Sequence, residues 1–389
     1  MQELIDLGWL EEPLDGNHGS IHPKTSDYVS TGVPFIMATD LRSGTVDYKN
    51  CAFITETQAA GLRKGFSHPG DVLLTHKATI GRTAIVPDTY KTIILTPQVT
   101  YYRAKKNIDN RYLKYYFDTP AFQITLSNWA GSGSTRAYLG ITAQKKLPVI
   151  LPEYAIQKRV ASILGILDDK IRNNNEINEN LLQQAGAVFD KFYDESPNQQ
   201  PFTSLIDVLG GGTPKTGNPD FWNGPIPFFT PKDVGAPYTF QTEKYITESG
   251  LAHCNSRLYQ KDTTFVTARG TVGKVSLAGS PMAMNQSCYA LASETVDPLL
   301  VYFYVLKAVS SLKHKASGAV FDAIVTRDFD SETINTLSDD DSKMVLSIIR
   351  PIMGAIHNNS EENMRLASLR DALLPKLMSG ELDVSELDL

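Results

Sequence analysis

Gly270-Thr271-Val272-Gly273-Lys274-Val275-Ser276 is the stretch that comes closest to a known catalytic or nucleotide-binding pattern in this 389-residue chain. Glycines ahead of a lysine suit a loop that cradles phosphates. Such a loop needs a longer interval between its glycines and a Ser or Thr after the lysine to reach a metal ion. Here the interval is too short and Val275 follows Lys274, so nucleotide binding is not expected. Asn218-Pro219-Asp220-Phe221 has the start of the Asn/Asp-Pro-Pro-aromatic run that holds a target amine for methyl transfer, but it lacks the second proline. Pro87-Asp88 and Pro219-Asp220 have no well-spaced Glu-x-Lys after them, so a nuclease metal site is unsupported. His18 and His22 are separated by Gly19 and lead into Pro23, which places them on a loop and argues against a zinc pair. Cys51, Cys254 and Cys288 stand far apart and form no CxxC, so they read as reduced or buried thiols. No Ser/His/Asp constellation is legible. The expectation is a chain without catalysis, cofactor or metal of its own.

What remains is contact chemistry. Arg, Lys, Gln, Asn, Ser and Thr bind phosphates and base edges when a rigid sheet holds their loops. The candidates in the first half are Lys77, Arg82, Gln98, Ser132, Ser134, Thr135 and Arg136. Those in the second half are Lys215, Lys232, Arg269, Lys274, Gln286, Lys313 and Lys315. The plainer reading of each is a solvated charge or a structural hydrogen bond. Gln98 and Gln286 recur in both halves, which suits a structural role, because a residue that reads sequence should diverge. Lys77 and Arg136 have no match of the same type, which favours base reading. Tyr101, Tyr102, Trp129 and Trp222 read as packing.

These residues are carried by one unit written twice. Val33-Pro34-Phe35-Ile36-Met37-Ala38-Thr39-Asp40-Leu41 aligns with Ile226-Pro227-Phe228-Phe229-Thr230-Pro231-Lys232-Asp233-Val234. Residues 71–75 align with 262–266, Thr79-Ile80-Gly81-Arg82 with Thr271-Val272-Gly273-Lys274, and Gln98 with Gln286. A twofold repeat of this length is a duplicated domain, not a solenoid. Strand patterns dominate at 71–75, 83–86, 93–103, 263–267, 275–277 and 286–292, with short helices expected at 111–119 and 298–311.

Each copy ends in a long helix. Val160, Leu164, Leu167, Ile171, Asn174, Asn178, Leu181, Ala185, Val188 and Phe192 step by four and three without a break, the seam of a coiled coil. Val345, Ile349, Ile352, Ile356, Asn359, Asn363, Leu366, Arg370, Leu373 and Leu377 repeat it, with one lapse at Arg370. A buried Asn fixes register because it tolerates another Asn and not a Leu. Antiparallel pairing sets Asn174 near Asn363 and Asn178 near Asn359. The asparagines match in a parallel pairing too; the repeat, with its pseudo-two-fold, favours antiparallel. Pro351 should kink the second helix or delay its effective start, and Gly165 is a soft point in the first.

The net charge of −6 is unevenly spread. Residues 1–150 hold 16 Lys+Arg against 13 Asp+Glu, whereas 338–389 hold 5 against 10. The acid sits mainly on the helices, leaving the globular parts free to present a basic face. No apolar run is long enough to span a membrane and the acidic start is no secretory signal, so a cytoplasmic protein is expected. A seam of this length rises about 50 Å. Two like modules at that separation match two half-sites about one duplex turn apart. A fused, diverged pair would read an asymmetric bipartite site.

At this level the whole chain resembles the specificity subunit of a type I restriction-modification system. The carrying residues are Ile226-Pro227-Phe228 with Lys232-Asp233-Val234, the Gly210-Gly211-Gly212-Thr213-Pro214 loop, Asn218-Pro219-Asp220-Phe221-Trp222, and Thr271-Val272-Gly273-Lys274. Leu151-Pro152-Glu153, Gln157-Lys158-Arg159-Val160, the 173–175 asparagines and Leu377-Met378-Ser379-Gly380-Glu381-Leu382 complete the set. The resemblance implies an α+β chain with target-recognition domains at 1–150 and 197–337. A central helix at 151–196 and a C-terminal helix and tail at 338–389 would form an antiparallel coiled coil between them. It further implies double-stranded DNA, two methyltransferase subunits and endonuclease/translocase subunits as partners of a non-catalytic chain. Two departures concern loops. The opening loop at 15–31 lacks the Gly-Gly-Thr-Pro run. The second helix is entered by Ser338-Asp339-Asp340-Asp341 in place of a proline-rich segment. The alternative class is a protein-binding scaffold without sequence-specific DNA recognition.

Overall fold

The computed structural model describes residues 1–131, 137–235, 237–315 and 323–386. The chain forms two compact units, Met1–Asp169 with Leu366–Leu389 and Lys170–Arg365. Each takes one globular part and one end of both long helices.

Both units are α+β and share a strand order. The main sheet of the first runs Leu14–Asp15, Val99–Tyr102, Val72–Lys77, Thr79–Ile85, antiparallel throughout. That of the second runs Asp207–Gly210, Cys288–Ala292, Thr264–Thr267, Val275–Ala278, and adds Tyr238–Thr239 in parallel at the edge. Val33–Ile36 and Trp222–Phe229 each centre a companion sheet. Period-two alternation sorts the first main sheet. Val72, Leu74 and Tyr102 pack on Leu113, Phe117, Phe122 and Leu126 of the helices Asn110–Asp118 and Pro120–Trp129. Leu73, Val99 and Tyr101 face the other way. The second unit covers its sheet with one helix, Pro298–Lys315. The first unit needs two because Pro120 cannot continue the preceding helix; Thr119 instead caps a new one through Phe122 N–H at 3.3 Å.

The apolar run 93–103 is two strands, not one. Val99 N–H bonds Thr96 O at 3.1 Å to close a turn at Pro97, which has no N–H for a ladder. Ile93–Leu95 then joins the companion sheet and Val99–Tyr102 the main one.

The central helix spans Tyr154–Glu195 and the C-terminal helix Asp339–Ser379. In the first unit Val160, Ala161 and Leu164 cluster with Leu374 and Leu377. In the second, Ala185 and Phe189 cluster with Val345, Ile349 and Ile356. Rising numbers on one helix meet falling numbers on the other, so the pairing is antiparallel within each unit. Asn174 Nδ2 donates to Asn363 Oδ1 at 2.8 Å and to Glu362 Oε2 at 2.7 Å. Asn359 Nδ2 donates to Asn178 Oδ1 at 2.9 Å. Replacing Asn363 with Leu leaves Asn174, only 1% exposed, without that partner. Glu362 still accepts from Asn174, so the expected cost is that of one lost hydrogen bond, about 1 kcal/mol. Pairing it with Asn174→Leu should recover most of the loss, with the register still held by Asn359 on Asn178; urea unfolding of the single and double variants measures the difference.

Three positions on the long helices that the sequence singles out have definite surroundings. Gly165 is a close approach: a Cβ there would lie 2.5 Å from Arg111 Nη1, whose guanidinium holds both oxygens of Asp169 at 3.0 and 3.2 Å. Pro351 does not delay its helix, which starts at Asp339 behind the Ser338 cap (Asp341 N–H to Ser338 Oγ, 3.2 Å) and continues through the proline. The seam lapse at Arg370 is an ion pair with Asp168, Nη1 to Oδ1 at 2.7 Å. The buried Gln157 ties the entry of the central helix to the first unit. Its amide donates to Asn107 O at 3.0 Å and Pro152 O at 2.8 Å, and accepts from Asp109 N–H at 3.0 Å. Among the described residues no helix is long and apolar enough to cross a membrane.

Candidate nucleic-acid interface

One hairpin recurs in both units and carries four of the nine candidate cations, two in each unit. In the first unit it joins Val72–Lys77 to Thr79–Ile85. In the second it joins Thr264–Thr267 to Val275–Ala278, so the glycine-lysine stretch at 270–274 is a β-turn region and not a phosphate loop. Its backbone is built the same way twice. Thr75 Oγ1 accepts from Arg82 N–H at 2.9 Å; Thr267 Oγ1 accepts from Lys274 N–H at 3.0 Å. Gly81 and Gly273 both have positive φ, 89° and 72°, where a side chain would be strained.

These bonds correct the register of the repeat by one residue. Thr75 corresponds to Thr267, so residues 71–75 align with 263–267 and not 262–266. His76 N–H bonds Gln98 O at 3.0 Å, and Ala268 N–H bonds Ser287 O at 2.8 Å. Gln98 therefore corresponds to Ser287, not to Gln286. Lys77 corresponds to Arg269: each makes an isolated antiparallel bridge, to Tyr138 and to Ala323. Lys77 thus has a cationic counterpart, which removes the argument that singled it out for base reading.

Lys77, Arg82, Arg269 and Lys274 are exposed. Arg82 Nη1 reaches Ala38 O at 3.3 Å, and Thr271 Oγ1 reaches the equivalent Pro231 O at 3.3 Å. The repeated Asp of the shared motif builds that neighbouring turn. Asp40 accepts from Met37 N–H and Asp233 from Thr230 N–H, both at 2.8 Å. In the second unit further candidates converge on this edge. Thr213 Oγ1 donates to the exposed Gln286 Oε1, joining the glycine loop and Lys215 to it. Gly211 permits that loop, since a Cβ there would overlap Asn285 O. In the first unit Gly16 makes a like approach, against Leu95 O. Lys232 lies next to Pro231 and pairs with Glu243 at 3.4 Å.

Two further candidates have partners within the fold. Lys313 Nζ donates to Gly273 O at 2.6 Å. Lys315 Nζ pairs with Glu332 Oε1, a nearly buried carboxylate, at 2.5 Å. Ser132, Ser134, Thr135 and Arg136 lie outside the described residues. Of the aromatics, Tyr101 and Tyr102 are core and Trp222 packs edge-on against Phe228, whereas Trp129 is 46% exposed. His76, beside Lys77, is fully buried with Nδ1 on Leu139 O at 3.0 Å. Burial lowers its pKa, so at neutral pH it adds no charge to the hairpin. Burial also raises the thiols of Cys51 and Cys288, to about 11 and about 12, which makes them poor nucleophiles. Among the described residues no three His, Cys, Asp or Glu side chains gather as metal ligands.

Two copies of one α+β fold, each presenting cations on the same hairpin, define a doubled recognition module. Residues 14–183 and 202–363 match the family described as "Type I restriction modification DNA specificity domain", and the chain belongs to that family. It is 23% identical over 392 residues to the type I restriction enzyme MjaIX specificity subunit of Methanocaldococcus jannaschii, covering 94% of this chain and 90% of that one. It is 27% identical over 210 residues, half of each chain, to the EcoR124I/EcoR124II specificity subunit of Escherichia coli. The type I restriction-modification S subunit from M. genitalium has the same fold, with a TM-score of 0.54 at 12% identity over 95% of this chain and 93% of that one.

Proposed function

We propose that this chain is the non-catalytic subunit that recognises DNA sequence in a type I restriction-modification complex. Each unit reads one half of an asymmetric bipartite site. The chain also positions two adenine methyltransferase subunits and joins endonuclease/translocase subunits. The observation that carries this reading is the doubled hairpin, with Lys77 and Arg82 in one unit and Arg269 and Lys274 in the other. Matched cations on matched turns suit the phosphate backbone, which every site shares, while the differing loops around them suit different base sequences. Exposed apolar residues on the long helices, among them Ile166, Ile177, Met344 and Leu369, suit docking of partner subunits.

The test is protection of duplex DNA by the chain assembled with methyltransferase subunits from its host. The expected footprint is two short, unlike sequences separated by an unspecified gap, with affinity falling steeply as salt rises. A scaffold that binds only proteins would show weak, sequence-indifferent protection. Mapping methylated adenines with and without the chain then gives the site itself.

A further inference from the structure

We propose that Gln123 and Lys313 are positioning residues, equivalent in the two units, that hold the recognition hairpin from behind without touching DNA. Gln123 lies on the helix Pro120–Trp129 and its Nε2 donates to Gly81 O at 2.9 Å. Lys313 lies on the helix Pro298–Lys315 and its Nζ donates to Gly273 O at 2.6 Å. Gly81 and Gly273 are the same residue of the repeat. In both, the helix side chain lies flat over the glycine: an added Cβ would overlap Gln123 Oε1 in one and Lys313 Cε in the other.

The arrangement gives each glycine carbonyl a donor from the covering helix, and it fixes the glycine one residue before the exposed cation. Arg82 and Lys274 are then held from both sides. Their N–H groups are bound by Thr75 and Thr267, and the preceding carbonyl by the helix. One unit performs this with a neutral amide and the other with an ammonium. The chemistry they share is donation, not charge. Lys313 is therefore committed to the turn, although by type and position it passes for a phosphate contact.

The inference rests on the hairpins contacting DNA, and the test separates the two claims. The full chain, assembled with its host's methyltransferase subunits, is titrated against duplexes selected from a randomised pool and against scrambled ones. Lys313→Ala should weaken binding to the selected duplex about tenfold, the usual worth of one hydrogen bond. Discrimination should fall in one half-site only. Gln123→Ala should do the same in the other half-site. Lys313→Gln, which copies the first unit, should restore affinity to within about twofold and leave the slope of log affinity against log salt unchanged. If Lys313→Gln is as damaging as Lys313→Ala and flattens that slope by about one, the ammonium meets a phosphate and the positioning role is overturned. Wild-type affinity in Lys313→Ala overturns it as well. A wild-type complex that cannot tell selected from scrambled duplex overturns the recognition reading together with this one.

Discussion

Arg370→Leu is expected to destabilise the first unit by about 2 kcal/mol, although it would complete the apolar seam. Arg370 Nη1 sits 2.7 Å from Asp168 Oδ1, and the two side chains are only 28% and 24% exposed. Asp168 Oδ2 also accepts from Tyr115 O–H at 2.7 Å and lies 3.6 Å from Lys114 Nζ. Removing one partner of a buried pair costs roughly 3–5 kcal/mol, because the other charge stays buried. Lys114 and Tyr115 remain here and the pair is partly wet, which places the cost below that range. Asp168→Leu combined with Arg370→Leu should regain most of the loss, since no charge is then stranded.

The pH dependence gives a second readout. Burial acts to raise the Asp168 carboxyl, but the Lys114 charge and the bonds from Arg370 and Tyr115 outweigh it and hold the carboxyl below its usual value. A lowered folded pKa means stability that is complete above the unfolded value, about 4, and is lost as pH falls through the folded one. The gap between wild type and Arg370→Leu should therefore be constant near neutrality and close in acid. An Arg370→Leu protein more stable than wild type at pH 7 would show that the seam outweighs the ion pair.

The seam and its asparagines were legible because a heptad pattern is a local code, and Asn174 facing Asn363 follows from that spacing together with the pseudo-two-fold of the repeat. The lapse at Arg370 was visible too, but its partner was not, since nothing near either residue in the chain announces the Asp168 contact. The repeat was legible through its motifs, yet its strand register slipped by one. Matching Asp71 to Asp262 looked compelling, but the first accepts bonds from Ser67 and Arg103 at a strand entrance, whereas the second takes Tyr238 O–H from a positive-φ turn. Strands tolerate such a slip in sequence because apolar residues fill both faces of a buried sheet. The candidate interface was half legible: Arg, Lys and Gln were found by type. Whether a cation faces solvent, as Arg269 does, or a carbonyl across the fold, as Lys313 does, is a tertiary fact.

Replacing Lys77, Arg82, Arg269 and Lys274 together with Ala is expected to lower DNA affinity by roughly two to four decades at low salt. Each charge-assisted phosphate bond contributes about 1 kcal/mol or somewhat more, and removing each one should flatten the salt slope by about 0.9 on duplex DNA. All four side chains are exposed, so folding should be unaffected. The matched placement in the two units dictates the form of the loss. On the proposed reading, cations shared by units that read different sequences would meet what those sequences have in common, the backbone. Affinity for selected and scrambled duplexes should therefore fall by similar factors, leaving their ratio near the wild-type value. Removing only the Lys77 and Arg82 pair, or only the Arg269 and Lys274 pair, should each give about half of the slope change. If instead the ratio collapses while the slope holds, these cations read bases, and specificity resides on the hairpins and not on the loops around them.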